Sequence, residues 1–414
     1  MKPPPETATP TAGAARSVRP MEGHDTRELL RNARTQAEER GLDKTLVVDV
    51  DAHHYETEAW NEIVGYLEDP VIKHLAEHGG VQGLTGQASL LFTEVGNQDI
   101  SGRVTRYPLR RTEQVPDGVS RDIEIVRRAM DGMAIDYQIV FPTPMLNLGL
   151  HPQVEIEVAV ARAYTKWMID RVLSVDPSIK TMVYLPFNDP EASLRMVEEF
   201  ADAPGVVGFM VTSVRHRPVH ANAYIPVYKA LEERGLPLGF HAGYSWSERS
   251  MQQFNRFLSV HALAFPFYNM VHLTNWVING MPERFPGIKV MWIEGGLAWV
   301  PFLMQRLDSE YMMRSSEAPL LTRLPSDYMR EMYFTTQPME YPQDPQWLKA
   351  TFDQLAAETQ VLYSSDYPHW DFDLPSRIWD LPFLTDEARR NILGGNAARL
   401  FSLTDPYANG RAPA

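Results

Sequence analysis

The chain contains no cysteine, which excludes disulfides, thiolate metal ligands and a cysteine nucleophile together. Any metal it binds must be held by His, Asp or Glu. It also lacks a surplus of positive charge: Lys and Arg total 39 against 53 Asp and Glu, a formal net charge of −14. That balance opposes nonspecific binding to nucleic acid or to an anionic membrane surface, and leaves a small molecule as the expected partner. No run approaches the roughly 20 consecutive apolar residues needed to span a bilayer. The first twenty residues, MKPPPETATPTAGAARSVRP, lack the apolar stretch of a secretory signal. They read as part of a disordered tail, residues 1–24, on a cytoplasmic protein, with a second tail at 405–414.

What is present is a long alternation. The 414 residues, 44% of them hydrophobic, suffice for one barrel with insertions or for two ordinary domains. Eight β-rich runs can be read: LVVDVDAH (46–53), DYQIVFP (136–142), TMVYLPF (181–187), VVGFMVT (206–212), LPLGFHA (236–242), IKVMWIE (288–294), MYFTTQ (332–337) and TQVLYSSD (359–366). Helical spacing fits 191–202 and 226–235 between them, the latter ending on a glycine. A helix is also expected over 25–40, with Asp25 as its cap and Glu28 at the third position. No glycine-rich dinucleotide turn follows the first run. The reading is an α/β chain forming a (β/α)8 TIM-like barrel over 25–404.

One connection is too long for a plain βα unit. Residues 54–135 hold GGVQGLTG (79–86), GRVTRYPLRRTE (102–113) and a helix expected over 121–133. Loops after barrel strands line the active face, so this insertion is a candidate lid or oligomer contact. Arg103, Arg106, Arg110 and Arg111 could grip a carboxylate, although a solvated basic segment is the plainer reading.

Polar residues ending apolar strands need a reason. Period-two alternation places Asp49, Asp51 and His53 on one face of the first run and Val48, Val50 and Ala52 on the other. His241, Glu294 and Asp366 stand at the ends of the fifth, sixth and eighth runs. Any one of them could be a strand cap; four strands ending in imidazole or carboxylate point to a divalent metal, Zn, Fe or Mn, with an open position for substrate. His369, three residues past Asp366, is expected to orient it or to contact substrate, against the alternative of a structural hydrogen bond. His261 and His272 flank LAFPFYNMV; either could be a further ligand, with packing the plainer role for His272. Trp292, Trp299 and Trp370 read as core or pocket wall.

The segments VDVDAHHYETEAW, LGFHAG, ERFPGIKVMWIEGGLAWVPFLMQRLD, LYSSDYPHWD and ILGGNAARLF, in this order between about Leu46 and Leu403, resemble the blocks of the amidohydrolase-related family. That family includes aminocarboxymuconate-semialdehyde and aromatic-acid decarboxylases. The resemblance implies that Asp51 and His53 stand at the first-strand ligand pair, His241 at the fifth-strand ligand, and Asp366 at the eighth-strand carboxylate that binds metal and acts as acid or base. Where those decarboxylases carry a sixth-strand histidine, this chain has Glu294. Glu56 and Glu294 also resemble a subgroup with an Asp-x-His-x-x-Glu opening, some of whose members hold two metals. The leading expectation is hydrolysis or non-oxidative decarboxylation of a small carboxylate-bearing molecule, with Asp366 moving the proton. A two-metal (Fe or Mn) oxygenase, drawing on Glu56, Glu294 and His261, is the alternative. A third reading is a non-catalytic subunit beside a paralogue in a hetero-oligomer; otherwise a homo-oligomer is expected.

Overall fold

The computed structural model describes residues 26–78, 120–215, 217–245, 248–369 and 371–408. Asp25, both glycine- and arginine-rich pieces of the insertion with Arg103, Arg106, Arg110 and Arg111, and Trp370 lie outside the described residues.

The eight apolar runs form eight parallel strands: β1 (Val48–His54), β2 (Tyr137–Pro142), β3 (Ile179–Tyr184), β4 (Val206–Thr212), β5 (Leu238–His241), β6 (Val290–Ile293), β7 (Tyr333–Thr335) and β8 (Val361–Leu362). Each pairs with its neighbour in chain order. The ring is closed by the chain just past β8. Tyr363 O accepts from Val50 N at 3.1 Å, Asp51 O accepts from Asp366 N at 2.7 Å, and Tyr367 O accepts from His53 N at 2.8 Å. This is a (β/α)8 barrel. Its seam is made by the same residues that carry the polar groups at the strand ends.

Every residue of β1 is buried, as expected of a strand with helices on one side and the barrel interior on the other. The inward set is Asp49, Asp51 and His53: the Asp51 carboxylate reaches His241 on β5, across the ring. Local signals set the helices between strands. Asp189 caps Pro190–Phe200 by accepting from Ala192 N, and Gly235, at φ 63°, ends Ile225–Arg234 in the left-handed conformation that glycine adopts without strain. Thr26–Glu39 lies on Arg121–Met133, and the missing side chain at Gly132 allows the contact, since a Cβ there would sit 2.9 Å from that of Leu30.

The end of β1 is clasped by Asp122 from the described part of the insertion and by the helix Val154–Met168. The His54 ring stacks on Trp167 (5.6 Å between centroids, 2° between planes), with Nδ1 3.2 Å from Asp122 and Nε2 2.7 Å from the Tyr164 hydroxyl. Trp292 and Trp299 belong to the hydrophobic core. Among the described residues, no helix is long and apolar enough to cross a membrane.

Candidate metal centre

Five side chains from four strand ends meet at the carboxyl end of the barrel. Asp51 and His53 come from β1, His241 from β5, Glu294 follows β6 and Asp366 follows β8; all are buried. One ligand atom from each of Asp51, His53, His241 and Glu294 lies within 4.8 Å of the others, and the same holds for His53, Glu294, Asp366 and His369. The two groups share His53 and Glu294, so they outline one cluster.

The hydrogen bonds fix which atoms face inward. His53 Nδ1 lies 3.1 Å from Pro142 O and His241 Nδ1 lies 2.7 Å from Ala242 O. A carbonyl only accepts, so both Nδ1 atoms carry a proton; in the neutral rings that metal binding requires, both Nε2 atoms present lone pairs. Those lone pairs point at oxygen: His53 Nε2 is 3.3 Å from Asp51 Oδ1 and 3.4 Å from Asp366 Oδ1, and His241 Nε2 is 3.2 Å from Asp51 Oδ1. Lone pairs against carboxylate oxygens repel unless a cation lies between them. Asp51 Oδ2, His53 Nε2, Glu294 Oε2 and Asp366 Oδ2 are buried with no hydrogen-bond partner among the described residues. Buried polar atoms without partners are rare. Two imidazole nitrogens with carboxylate oxygens fit a divalent ion of the Zn, Mn or Fe kind.

Proton affinities reflect the same crowding. Burial drives His53 down to about 3, so it is neutral. Burial alone would push the Asp51 carboxyl up, and only positive charge on its His241 and His53 side, from protonated rings or from a cation in their place, holds it well below the usual carboxylate range. Burial pushes Asp366 up to about 7 although His369 pulls it down. Burial and the neighbouring charge of Asp366 push Glu294 well above its ordinary value. For His369, burial favours the neutral ring, yet Asp366 and Glu294 outweigh it and raise its pKa. Buried acids held this close together are relieved by a metal cation, and strongly shifted groups of this kind mark functional sites.

His369 joins the cluster as the partner of Asp366. Its Nδ1 is 2.6 Å from Asp366 Oδ1, its Nε2 is 3.2 Å from Thr143 Oγ1, and its ring stacks on His53 at 4.2 Å. Both nitrogens therefore have polar partners, Asp366 and Thr143. Two expected ligands are not brought into the cluster. Glu56 is fully buried, but its oxygens accept from Thr143 N (2.9 Å) and Met145 N (2.6 Å), so it holds the loop after β2. His261 stands in the first turns of the helix Phe257–Ile278, 3.8 Å from Asp371. Of the three residues behind the two-metal reading, Glu294 alone joins the cluster. His272 packs as expected, its Nε2 2.7 Å from Ser213 O.

Several further residues support the cluster. Asp49 accepts from Ser365 N and Gln138 Nε2 at 2.8 Å each and from Ser365 Oγ at 2.5 Å, tying β1 and β2 to the segment that presents Asp366. Thr335 Oγ1 accepts from Glu294 N at 2.9 Å and fixes the end of β6. Alternation did place Asp49 facing inward, but serine, threonine and glutamine near strand ends are too common to single out.

Residues 48–403 match the amidohydrolase family. A gamma-resorcylate decarboxylase from Polaromonas sp. (strain JS666 / ATCC BAA-500) is 21% identical over 253 residues, 59% of this chain and 76% of that protein. Among solved structures, an amidohydrolase from Mycobacterium avium subsp. paratuberculosis K-10 is similar with a TM-score of 0.66 at 20% identity, over 86% of this chain and 99% of the other. The 5-carboxyvanillate decarboxylase from Novosphingobium aromaticivorans DSM 12444, complexed with manganese and 4-hydroxy-3-methoxy-5-nitrobenzoic acid, gives a TM-score of 0.63 at 19% identity, over 87% of this chain and 97% of the other. At these identities the structural likeness establishes the fold.

Proposed function

The chain belongs to the amidohydrolase family, as the match over residues 48–403 establishes, and from that premise we propose that it is a metal-dependent enzyme removing carbon dioxide, without oxidation, from a small aromatic carboxylate. The observation that carries this reading is the set of buried, unpartnered atoms on Asp51, His53, Glu294 and Asp366, with the Asp366–His369 pair beside them. The substrate class is supported by the gamma-resorcylate and 5-carboxyvanillate decarboxylases, both named for aromatic acids.

Asp51, His53, His241 and Glu294 would hold the ion. Bound there, a divalent ion supplies positive charge that attracts and polarises an anionic substrate. In the reaction the bond between ring carbon and carboxylate breaks, the electron pair stays with the ring, and a proton takes the vacated position. Asp366 and His369 share a proton across 2.6 Å. Protonated on Oδ2, its oxygen without a hydrogen-bond partner, Asp366 passes that proton to the ring carbon while the His369 Nδ1 proton moves to Oδ1 and keeps the carboxyl neutral. Burial of Asp366 keeps bulk water from competing for that proton.

The test is to load the protein with manganese or zinc, offer a panel of hydroxybenzoates, and measure carbon dioxide release together with deuterium incorporation in heavy water. The reading requires one deuterium at the vacated ring carbon per carbon dioxide, with both signals lost on chelation. Hydrolysis of an ester or amide by metal-loaded protein that releases no carbon dioxide from any aromatic acid would overturn it. The same reading includes self-association. The helix Phe257–Ile278 has no Asp, Glu, Lys or Arg and exposes Leu258, Leu263 and Val271, and Phe302 is exposed on the adjoining helix Trp299–Arg314. Sedimentation should show a species larger than a monomer, and a strictly monomeric protein at micromolar concentration would contradict it.

A further inference from the structure

We propose that Thr143 is a positioning residue that fixes a proton on Nε2 of His369 and so leaves Nδ1 as the atom that exchanges a proton with Asp366. The inference rests on reading the Asp366–His369 pair as the proton source, and it follows from hydrogen-bond bookkeeping around one hydroxyl group. Thr143 Oγ1 lies 2.9 Å from the carbonyl oxygen of His54. A carbonyl cannot donate, so the single hydroxyl proton of Thr143 is committed to that bond. The same oxygen lies 3.2 Å from His369 Nε2. With its proton committed, it can only accept there, and Nε2 must be the donor. The proton lying between His369 Nδ1 and Asp366 Oδ1, 2.6 Å apart, is then the one free to move. Turning the ring over would break both contacts at once.

Thr143 is itself held from several directions. It is the first residue after β2, its N donates to Glu56 Oε2 at 2.9 Å, and Met145 N donates to Glu56 Oε1 at 2.6 Å. The residue before it, Pro142, accepts from His53 Nδ1 through its carbonyl. Two consecutive residues at the end of β2 therefore set two imidazoles in opposite senses: Pro142 turns the lone pair of His53 toward the cluster, and Thr143 turns Nδ1 of His369 toward Asp366. The His54 carbonyl that orients the hydroxyl is steadied by the His54 ring, clasped between Asp122 and Tyr164. The β-branch of threonine further restricts the rotamer that presents the oxygen.

Thr143→Val keeps the shape and removes the hydroxyl, whereas Thr143→Ser keeps the hydroxyl. In zinc-loaded protein labelled with ¹⁵N-histidine, and with His369 assigned by its loss in His369→Gln, wild type and Thr143→Ser should show Nε2 of His369 in the N–H range. Thr143→Val should show it shifted toward mixed protonation. On an aromatic-acid substrate, Thr143→Val should lower kcat by roughly 10-fold, the scale of one lost hydrogen bond, with KM nearly unchanged, and Thr143→Ser should restore it. An unprotonated Nε2 in wild type overturns the proposal, whether or not the valine variant folds. So does a valine variant that retains both the N–H signal and wild-type kcat. The spectroscopic readout needs no substrate, so protein that shows the expected resonances yet releases no carbon dioxide would sink the decarboxylase reading and leave the role of Thr143 standing.

Discussion

On the proposed mechanism Asp366 would have two tasks that demand different things of one carboxylate: lying beside a cation, which favours the charged form, and holding a proton, which favours the neutral one. Its burial raises its pKa to about 7, and its contact with His369 pulls the other way. Replacing Asp366 by Asn keeps the size and removes both the charge and the proton acceptor. Turnover should fall by roughly 10²–10⁴-fold, the usual scale for losing general acid–base catalysis, with the metal content measured in parallel. A variant that kept its metal and near-normal turnover would make Asp366 a structural strand end. At this scale the sequence is legible where a polar residue ends an apolar run, as at His241, Glu294 and Asp366. It is not legible where the chain leaves the strand. Glu56 follows the end of β1 by two residues, and the 3₁₀ turn Glu56–Ala59 carries it toward the loop after β2 rather than into the barrel. Ligand spacing alone does not reveal that turn.

The elements show a similar division. Helices with strong periodicity and caps lie close to where the pattern places them: 121–133 is matched by Arg121–Met133, and 25–40 by Thr26–Glu39. β8 is the clearest departure, two residues long where eight were read. The remaining chain still bonds to β1, but it turns so that Asp366 adopts φ 59°, and Glu294 after β6 adopts φ 58°. Left-handed backbone at a non-glycine residue is uncommon and costs energy, and here it coincides with two residues of the cluster.

One helix offers a test away from the metal. His272, in Phe257–Ile278, is buried and bonded to Ser213 O, and burial lowers its pKa to about 4 although the Ser213 bond works against this. In the unfolded chain the ring titrates near about 6.5. The unfolded state therefore binds more protons between these values, and the stability from the neutral ring, complete above about 6.5, is lost as pH falls toward 4. From this residue alone the fold should be about 2 kcal/mol less stable at pH 5 than at pH 7. Urea midpoints of wild type and His272→Gln at both pH values check this, and an identical pH dependence in the two proteins would contradict it.

For the molecule as a whole, the alternation of apolar runs with helical stretches indicates a parallel α/β sheet, and the count of eight runs fits a closed barrel. How the barrel closes was not legible. Closure rests on the backbone bonds of Val50, His53 and Asp366 across the seam, braced by Asp49 accepting from Ser365, contacts between residues up to 316 positions apart. Such contacts leave no periodic trace. The closure matters for function because it sets Asp51 and His53 against Asp366.

The central claim, that these strand ends form a metal centre, is tested most directly by elemental analysis of the purified chain beside its His241→Ala variant. The account predicts divalent metal in the wild-type chain and loss of most of it in a variant whose circular dichroism remains that of a folded barrel, because the metal depends on the ligand while the core is spread over eight strands. Full metal occupancy in the folded His241→Ala protein, or a wild-type chain that takes up no divalent ion after incubation with manganese or zinc, would contradict it.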